Sequence, residues 1–163
     1  MAATRSRNGF SLIEVMIAVV LVGLSITALA VATHSFTMAN GLGADLSTAE
    51  FLVEQIRELT TLLPVADPPG TSWTTFGPEE GSLASYDDVD DFDNATFSPP
   101  INANRGPLND LAAFTQQVTV QNVSATDFDA VVADHSSSFV RITVNVYQNG
   151  ELISSANWIR ARY

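Results

Sequence analysis

The chain has 163 residues, seven arginines, no lysine, no cysteine and 18 acidic side chains, for a net charge of −11. The absence of cysteine excludes disulfides, thiolate zinc sites and thiol chemistry, and so large an acidic excess works against binding nucleic-acid phosphates. The length suits one domain plus a membrane helix, which inflates the 46% hydrophobic content.

The first nine residues, Met1 to Gly9, carry Arg5 and Arg7 and no acid. Phe10-Ser11-Leu12-Ile13-Glu14 follows, with Glu14 its one charge, and no side chain from Val15 to Thr33 carries a carboxylate, an amine or a guanidinium. Phe10 to Thr33, as a helix rising ~1.5 Å per residue, is roughly 36 Å long. That spans the ~30 Å hydrocarbon core of a bilayer with some tilt. A secretory signal has a shorter apolar region, about 7–15 residues, with its cut site after it. Here the candidate cut site precedes the apolar run. Arg5 and Arg7 favour a cytoplasmic N-terminus. Glu14 on such a helix costs several kcal/mol unless it reaches the interface or finds a partner.

The order of basic head, Gly9-Phe10 junction, Ser11-Leu12-Ile13, lone Glu14 and apolar Val15 to Ala30 resembles the processing site of the type IV prepilins and of the pseudopilins of type II secretion. The resemblance covers about a fifth of the chain. It implies that a prepilin peptidase cuts after Gly9, where a small residue is needed, and methylates the new amine of Phe10. It implies that Glu14 pairs with that amine on a neighbouring subunit during assembly. The implied partners are other pilin subunits, the peptidase, the inner-membrane assembly platform and membrane lipid. The implied fold is a long N-terminal helix on an antiparallel sheet. Small residues such as Ala18, Gly23, Ser25, Ala28 and Ala32 permit close helix packing. One departure stands out: residues 10–63 contain no proline, whereas major pilins commonly carry a kinking one, so Gly23-Leu24-Ser25 is the nearest weak point.

Residues 34–45 are ambiguous, since Gly41 and Gly43 each cost about 1 kcal/mol in a helix. Beyond them Leu46, Ala49, Leu52, Val53, Ile56, Leu59 and Leu63 recur at helical steps. The sequence therefore predicts one helix from about Ser11 to Leu63, weakened at the two glycines, with Asp45 or Ser47 available to cap a restart. Pro64 ends it. Residues 64–112 hold all seven prolines and read as a long irregular excursion, pinned by Trp73, Phe76, Tyr86, Phe92 and Phe97.

Within that excursion lie Asp87, Asp88, Asp90, Asp91 and Asp93. Five carboxylates so close repel unless solvated or bound to a cation, and oxygen-rich loops suit calcium. The spacing does not fit an EF-hand: the glycine and the closing glutamate are missing. An extended segment would put Asp91 and Asp93 on one side and Asp88 and Asp90 on the other. The alternative is a solvated acidic turn with Val89 and Phe92 as inward anchors. The Asp87-to-Phe92 segment is also similar to an element of the D-type minor pilins of the mannose-sensitive haemagglutinin pilus system, which implies a minor subunit.

Strands follow. Phe114, Gln116, Val118 and Val120 alternate with polar residues, as do Val140, Ile142, Val144 and Val146. Residues 125–135 between them admit a short helix. Asn149-Gly150 is a hairpin signal that pairs Gln148 with Glu151, Tyr147 with Leu152 and, continued regularly, Arg141 with Trp158. That last pair would allow a cation–π contact of about 1 kcal/mol. The apolar sheet face and the amphipathic helix each need a cover, and each supplies the other's. His34 and His135 are the only histidines, and no nucleophile-elbow or phosphate-loop motif occurs, so no enzyme is expected.

The fold class is thus α+β. The organisation is a leader at 1–9, a membrane or filament-core helix at 10–33, and an exported head at 34–163 with strands over 113–163. The expected role is a prepilin-like structural subunit with the head periplasmic. A type II secretion pseudopilin and an uncleaved, membrane-anchored binding protein whose acidic loop is the working end remain open alternatives.

Overall fold

The computed structural model describes residues 9–65 and 76–162. Arg5 and Arg7, the prolines Pro68 and Pro69, the aromatic Trp73 and the terminal Tyr163 lie outside the described residues.

Helix α1 runs from Leu12 to Thr61. Ser11 opens it as a cap: the Glu14 backbone N–H donates to the Ser11 carbonyl at 3.1 Å and lies 3.3 Å from the Ser11 hydroxyl oxygen. The backbone stays helical through Gly41 and Gly43, so the expected weakening produces no break. A penalty of about 1 kcal/mol per glycine is a preference, and helical neighbours on both sides override it. Asp45 and Ser47 therefore cap no restart. Asp45 instead accepts a 2.9 Å hydrogen bond from Gln148 Nε2. The helix stops short of the expected Leu63, because a residue preceding proline is pushed out of the helical region.

The chain divides into two compact units, Met1–Gly43 and Ala44–Tyr163. In the first, every large apolar side chain from Phe10 to Leu42 is exposed. A helix apolar all round is one that another medium covers. Its hydroxyls are already satisfied: Ser25, Thr27, Thr33, Ser35 and Thr37 each donate to a carbonyl one turn back. That removes the cost of placing them in hydrocarbon.

The second unit is a four-stranded antiparallel sheet in the order β1-β2-β3-β4, covered by the end of α1. The strands are β1 Thr96–Phe97, β2 Phe114–Asn122, β3 Phe139–Gln148 and β4 Glu151–Ala161. The inner face carries Val118, Val120, Ile142, Val144 and Val146, which form one core with Ala49, Leu52, Val53, Ile56 and Leu59 of α1. Gln116 shares that face and is fully buried. Its side-chain amide donates to the Leu52 carbonyl at 2.8 Å and accepts from the Ile101 N–H at 2.7 Å, tying helix, loop and sheet together. Between β2 and β3 no helix forms; Val123 and Val131 make an isolated bridge there.

The β3–β4 hairpin turns at Asn149-Gly150, both with positive φ (50° and 87°), as a tight primed turn requires. Gln148 pairs with Glu151 and Tyr147 with Leu152, as the turn dictates. Beyond that the regular register fails. Val146 pairs with Ser154, leaving Ile153 as an extra residue, so Trp158 lies opposite Ile142 and not Arg141. A one-residue shift moves each side chain to the other sheet face. Trp158 consequently faces inward, with the Arg57 guanidinium 4.8 Å from its ring centroid. Arg141 is held on the outer face by Gln121 Oε1 at 2.9 Å and the Phe128 carbonyl at 3.2 Å.

The same shift brings Arg160 to the end of α1, where it donates to the carbonyls of Thr60 (2.6 Å), Thr61 (3.1 Å) and Leu63 (3.0 Å). These carbonyls lie at and just past the helix end, where intrahelical donors run out; among the described residues only that of Thr60 also accepts from a backbone N–H, that of Leu63 at 3.4 Å. Arg160→Ala is expected to lower the unfolding free energy of the head by about 1.5–3 kcal/mol, read as a shift in urea midpoint. An unchanged midpoint would show that water replaces the guanidinium without loss.

Candidate functional site

Two regions carry the residues singled out by sequence. The first is the N-terminal end of α1. Gly9, Phe10 and Ser11 precede the helix and Glu14 occupies its first turn. Phe10 is 84% exposed and Gly9 is exposed too. Glu14 lies where a carboxylate complements the positive end of the helix dipole. Among the described residues no salt bridge engages its carboxylate, and the Ser11 hydroxyl oxygen accepts from the Glu14 backbone N–H.

The second is the acidic segment. A short 3₁₀ turn over Asp90–Phe92 replaces the extended conformation, so the expected alternation of sides does not arise. Residues three apart meet instead. Asp91 Oδ2 accepts from the Asp87 and Asp88 N–H groups at 2.8 and 3.3 Å, while Asp88 Oδ1 accepts from the Asp91 N–H at 3.1 Å. Asp88, Asp90 and Asp91 are buried, not solvated. Asp87 is exposed. Asp93 points elsewhere and accepts from the Val120 N–H of β2 at 2.8 Å. Val89 and Phe92 are fully buried, the inward anchors expected. The five aspartates therefore do not converge on one point.

What converges on Asp91 is a pair that sequence reasoning passed over. Carboxylate oxygens of Glu79, Glu80 and Asp91 all lie within 4.8 Å of one another. Glu79-Glu80 follows Pro78 and stands apart from the aspartate run, and nothing in the spacing joined them; only the folded loop does. The electrostatics are severe. A hydrogen bond with Asp91, then burial, pushes the Glu80 carboxyl up to about 7. Burial, then the hydrogen bond with Asp90, pushes Asp88 up to about 8. Burial raises Asp90 to about 6. Tyr86 is also raised, by burial and then by the charges of Asp91 and Glu80. Arg105 steadies the neighbouring chain by donating to the carbonyls of Leu83, Ala84 and Tyr86 at 2.5–3.0 Å.

His135 packs edge-on against Phe76, with ring centroids 5.6 Å apart. The Ser136 hydroxyl donates to the Ala133 carbonyl and not to His135. His34 lies exposed on α1.

Residues 4–30 match the family model of the prokaryotic N-terminal methylation motif. The match contains Gly9, Phe10, Glu14 and most of the apolar run, and it supports a type IV pilin-like, prepilin-processed chain. No curated protein and no solved structure shows a significant match to the chain.

Proposed function

We propose that this chain is a minor pilin-like structural subunit of a type IV pilus or a related filament. The observation that carries the reading is one of register. The methylation-motif match spans the Gly9-Phe10 junction, Glu14 stands one helical turn beyond it, and an uncovered apolar helix follows. The leader at 1–9 is removed by a prepilin peptidase and the Phe10 amine is methylated. The helix at 10–33 first holds the chain in the inner membrane, N-terminus cytoplasmic and head periplasmic, and then packs in the filament core. The assembly platform moves it from one medium to the other. The work is mechanical and needs no catalytic residue.

Support for a minor subunit comes from the resemblance of the Asp87-to-Phe92 element, which the fold builds into the core through Val89 and Phe92. Mass spectrometry of the mature protein tests processing. The expected N-terminus is N-methylated Phe10, and Gly9→Val is expected to leave the longer precursor. Intact Met1–Gly9 on protein from a host with an active prepilin peptidase overturns the reading.

A further inference from the structure

The geometry points to a calcium-binding site formed by Glu79, Glu80 and Asp91. It is independent of the filament reading. It also differs from the five-aspartate set that the sequence suggested, since only Asp91 belongs to both.

Acidic residues near one another are common on surfaces, so the cluster alone says little. The decisive feature is burial without a donor of the protein's own. Asp91 is fully buried, and no N–H or hydroxyl of the described residues donates to its Oδ1. Glu80 Oε2 is buried and equally without such a donor; the contact between the Glu80 and Asp91 carboxyls sets one acid against another and needs a shared proton or a cation between them. Asp91 Oδ2 is already committed to two backbone N–H groups, which fixes the carboxylate and leaves Oδ1 for another ligand. A buried carboxylate oxygen without a donor costs free energy that a folded chain normally avoids. Arg57 pairs with Glu54 and Arg141 with Asp129, and neither guanidinium serves Glu80 or Asp91. A cation supplies what these oxygens lack.

The chemistry selects the ion. All three residues offer hard oxygen, and with neither cysteine nor histidine in the group the softer transition metals are disfavoured. Calcium–oxygen distances of about 2.3–2.6 Å put ligands on opposite sides of the ion roughly 5 Å apart. Oxygens that all lie within 4.8 Å of one another fit around it. Magnesium, at about 2.0–2.1 Å with strict octahedral demands, needs a tighter set. One oxygen from each carboxylate supplies three of the roughly six to eight that calcium takes, and water would complete the shell. The ion would tie Glu79 and Glu80 to the 3₁₀ turn at Asp90–Phe92, and so fasten the loop that leads into β1.

The test uses the full chain in detergent micelles and equilibrium dialysis against calcium alone. The expected result is one ion per chain with a dissociation constant below about 1 mM, the range of extracellular modules. Asp91→Asn is expected to abolish uptake. Because it disturbs the Asp87 and Asp88 N–H partners, Glu80→Gln is the second variant. It should keep the far-UV circular dichroism of the parent in chelator and weaken binding about tenfold or more. Asp110→Asn, at an exposed acid in another turn, should bind as the parent does. No uptake by the parent overturns the site, as does equal affinity in Glu80→Gln. Tighter binding of magnesium than of calcium overturns the choice of ion.

Discussion

Glu14→Ala chains are expected to reach the membrane in normal amount and to be missing from filaments. Removing a carboxylate from a spanning helix lightens insertion, by roughly 2.5–3.5 kcal/mol if it were at the bilayer centre and less near the interface. Helix initiation survives as well, because Ser11 holds the backbone N–H of Glu14 and not its carboxylate. In an assembled filament the balance reverses. The methylated amine of a neighbouring Phe10 would be buried among apolar helices with no counter-ion. Stripping one partner from a buried charge pair costs about 3–5 kcal/mol. At ~1.4 kcal/mol per tenfold, that cuts incorporation by about a hundredfold or more. Quantitative blotting of sheared filaments against the membrane fraction reads the effect. Glu14→Gln separates charge from shape: it keeps the side-chain length, and it should fail as alanine does. Normal incorporation of either variant would reduce Glu14 to a helix-start residue.

The long helix and the α+β architecture were legible because their signals are local. Leu52, Val53, Ile56 and Leu59 repeat at helical spacing, and Val140 to Val146 alternate, so each buried face could be read without its partner. Asn149-Gly150 likewise set the hairpin, since its turn geometry belongs to two residues. The errors arose where one element decides the state of another. The extra residue at Ile153 has no signature in the strand pattern, yet it turns Trp158 and Arg160 from the outer face to the helix. Gln116 falls on the apolar alternation but offered no hint that its amide serves both α1 and the loop at Ile101. The acidic site fails in the same way. Asp91 is visible in a run of aspartates, but Glu79 and Glu80 reach it only through a loop with no periodic pattern. Helical propensity misled in the opposite sense at Gly41 and Gly43, where a small local penalty was overridden by the helix on either side.

Phe92→Ala is expected to be the most damaging single change in the head. The ring is fully buried. It meets Tyr86 edge-on at 5.1 Å and Phe97 at 6.4 Å between centroids. It therefore joins the acidic loop to β1 from the 3₁₀ turn, outside both α1 and the sheet. Its backbone is equally committed: the Phe92 N–H donates to the Val89 carbonyl and the Phe92 carbonyl accepts from Ala95. Val89 N–H in turn donates to the Pro64 carbonyl at 3.0 Å, just past the end of α1. A cavity at Phe92 thus opens where loop, strand and helix terminus converge, and little can collapse into it. Truncating a buried phenylalanine costs about 3–5 kcal/mol, which for a head of this size lowers the melting temperature by roughly 10–20 °C. Phe92→Leu, which removes less of the side chain, should cost less than the alanine variant. Phe128, 44% exposed against Phe139, supplies the comparison, and its alanine variant should stay within about 1 kcal/mol of the parent. Thermal melts followed by near-ultraviolet circular dichroism rank the three. If Phe92→Ala melts with Phe128→Ala, the acidic loop is not anchored in the core, and burial of Asp88, Asp90 and Asp91 loses its structural cause.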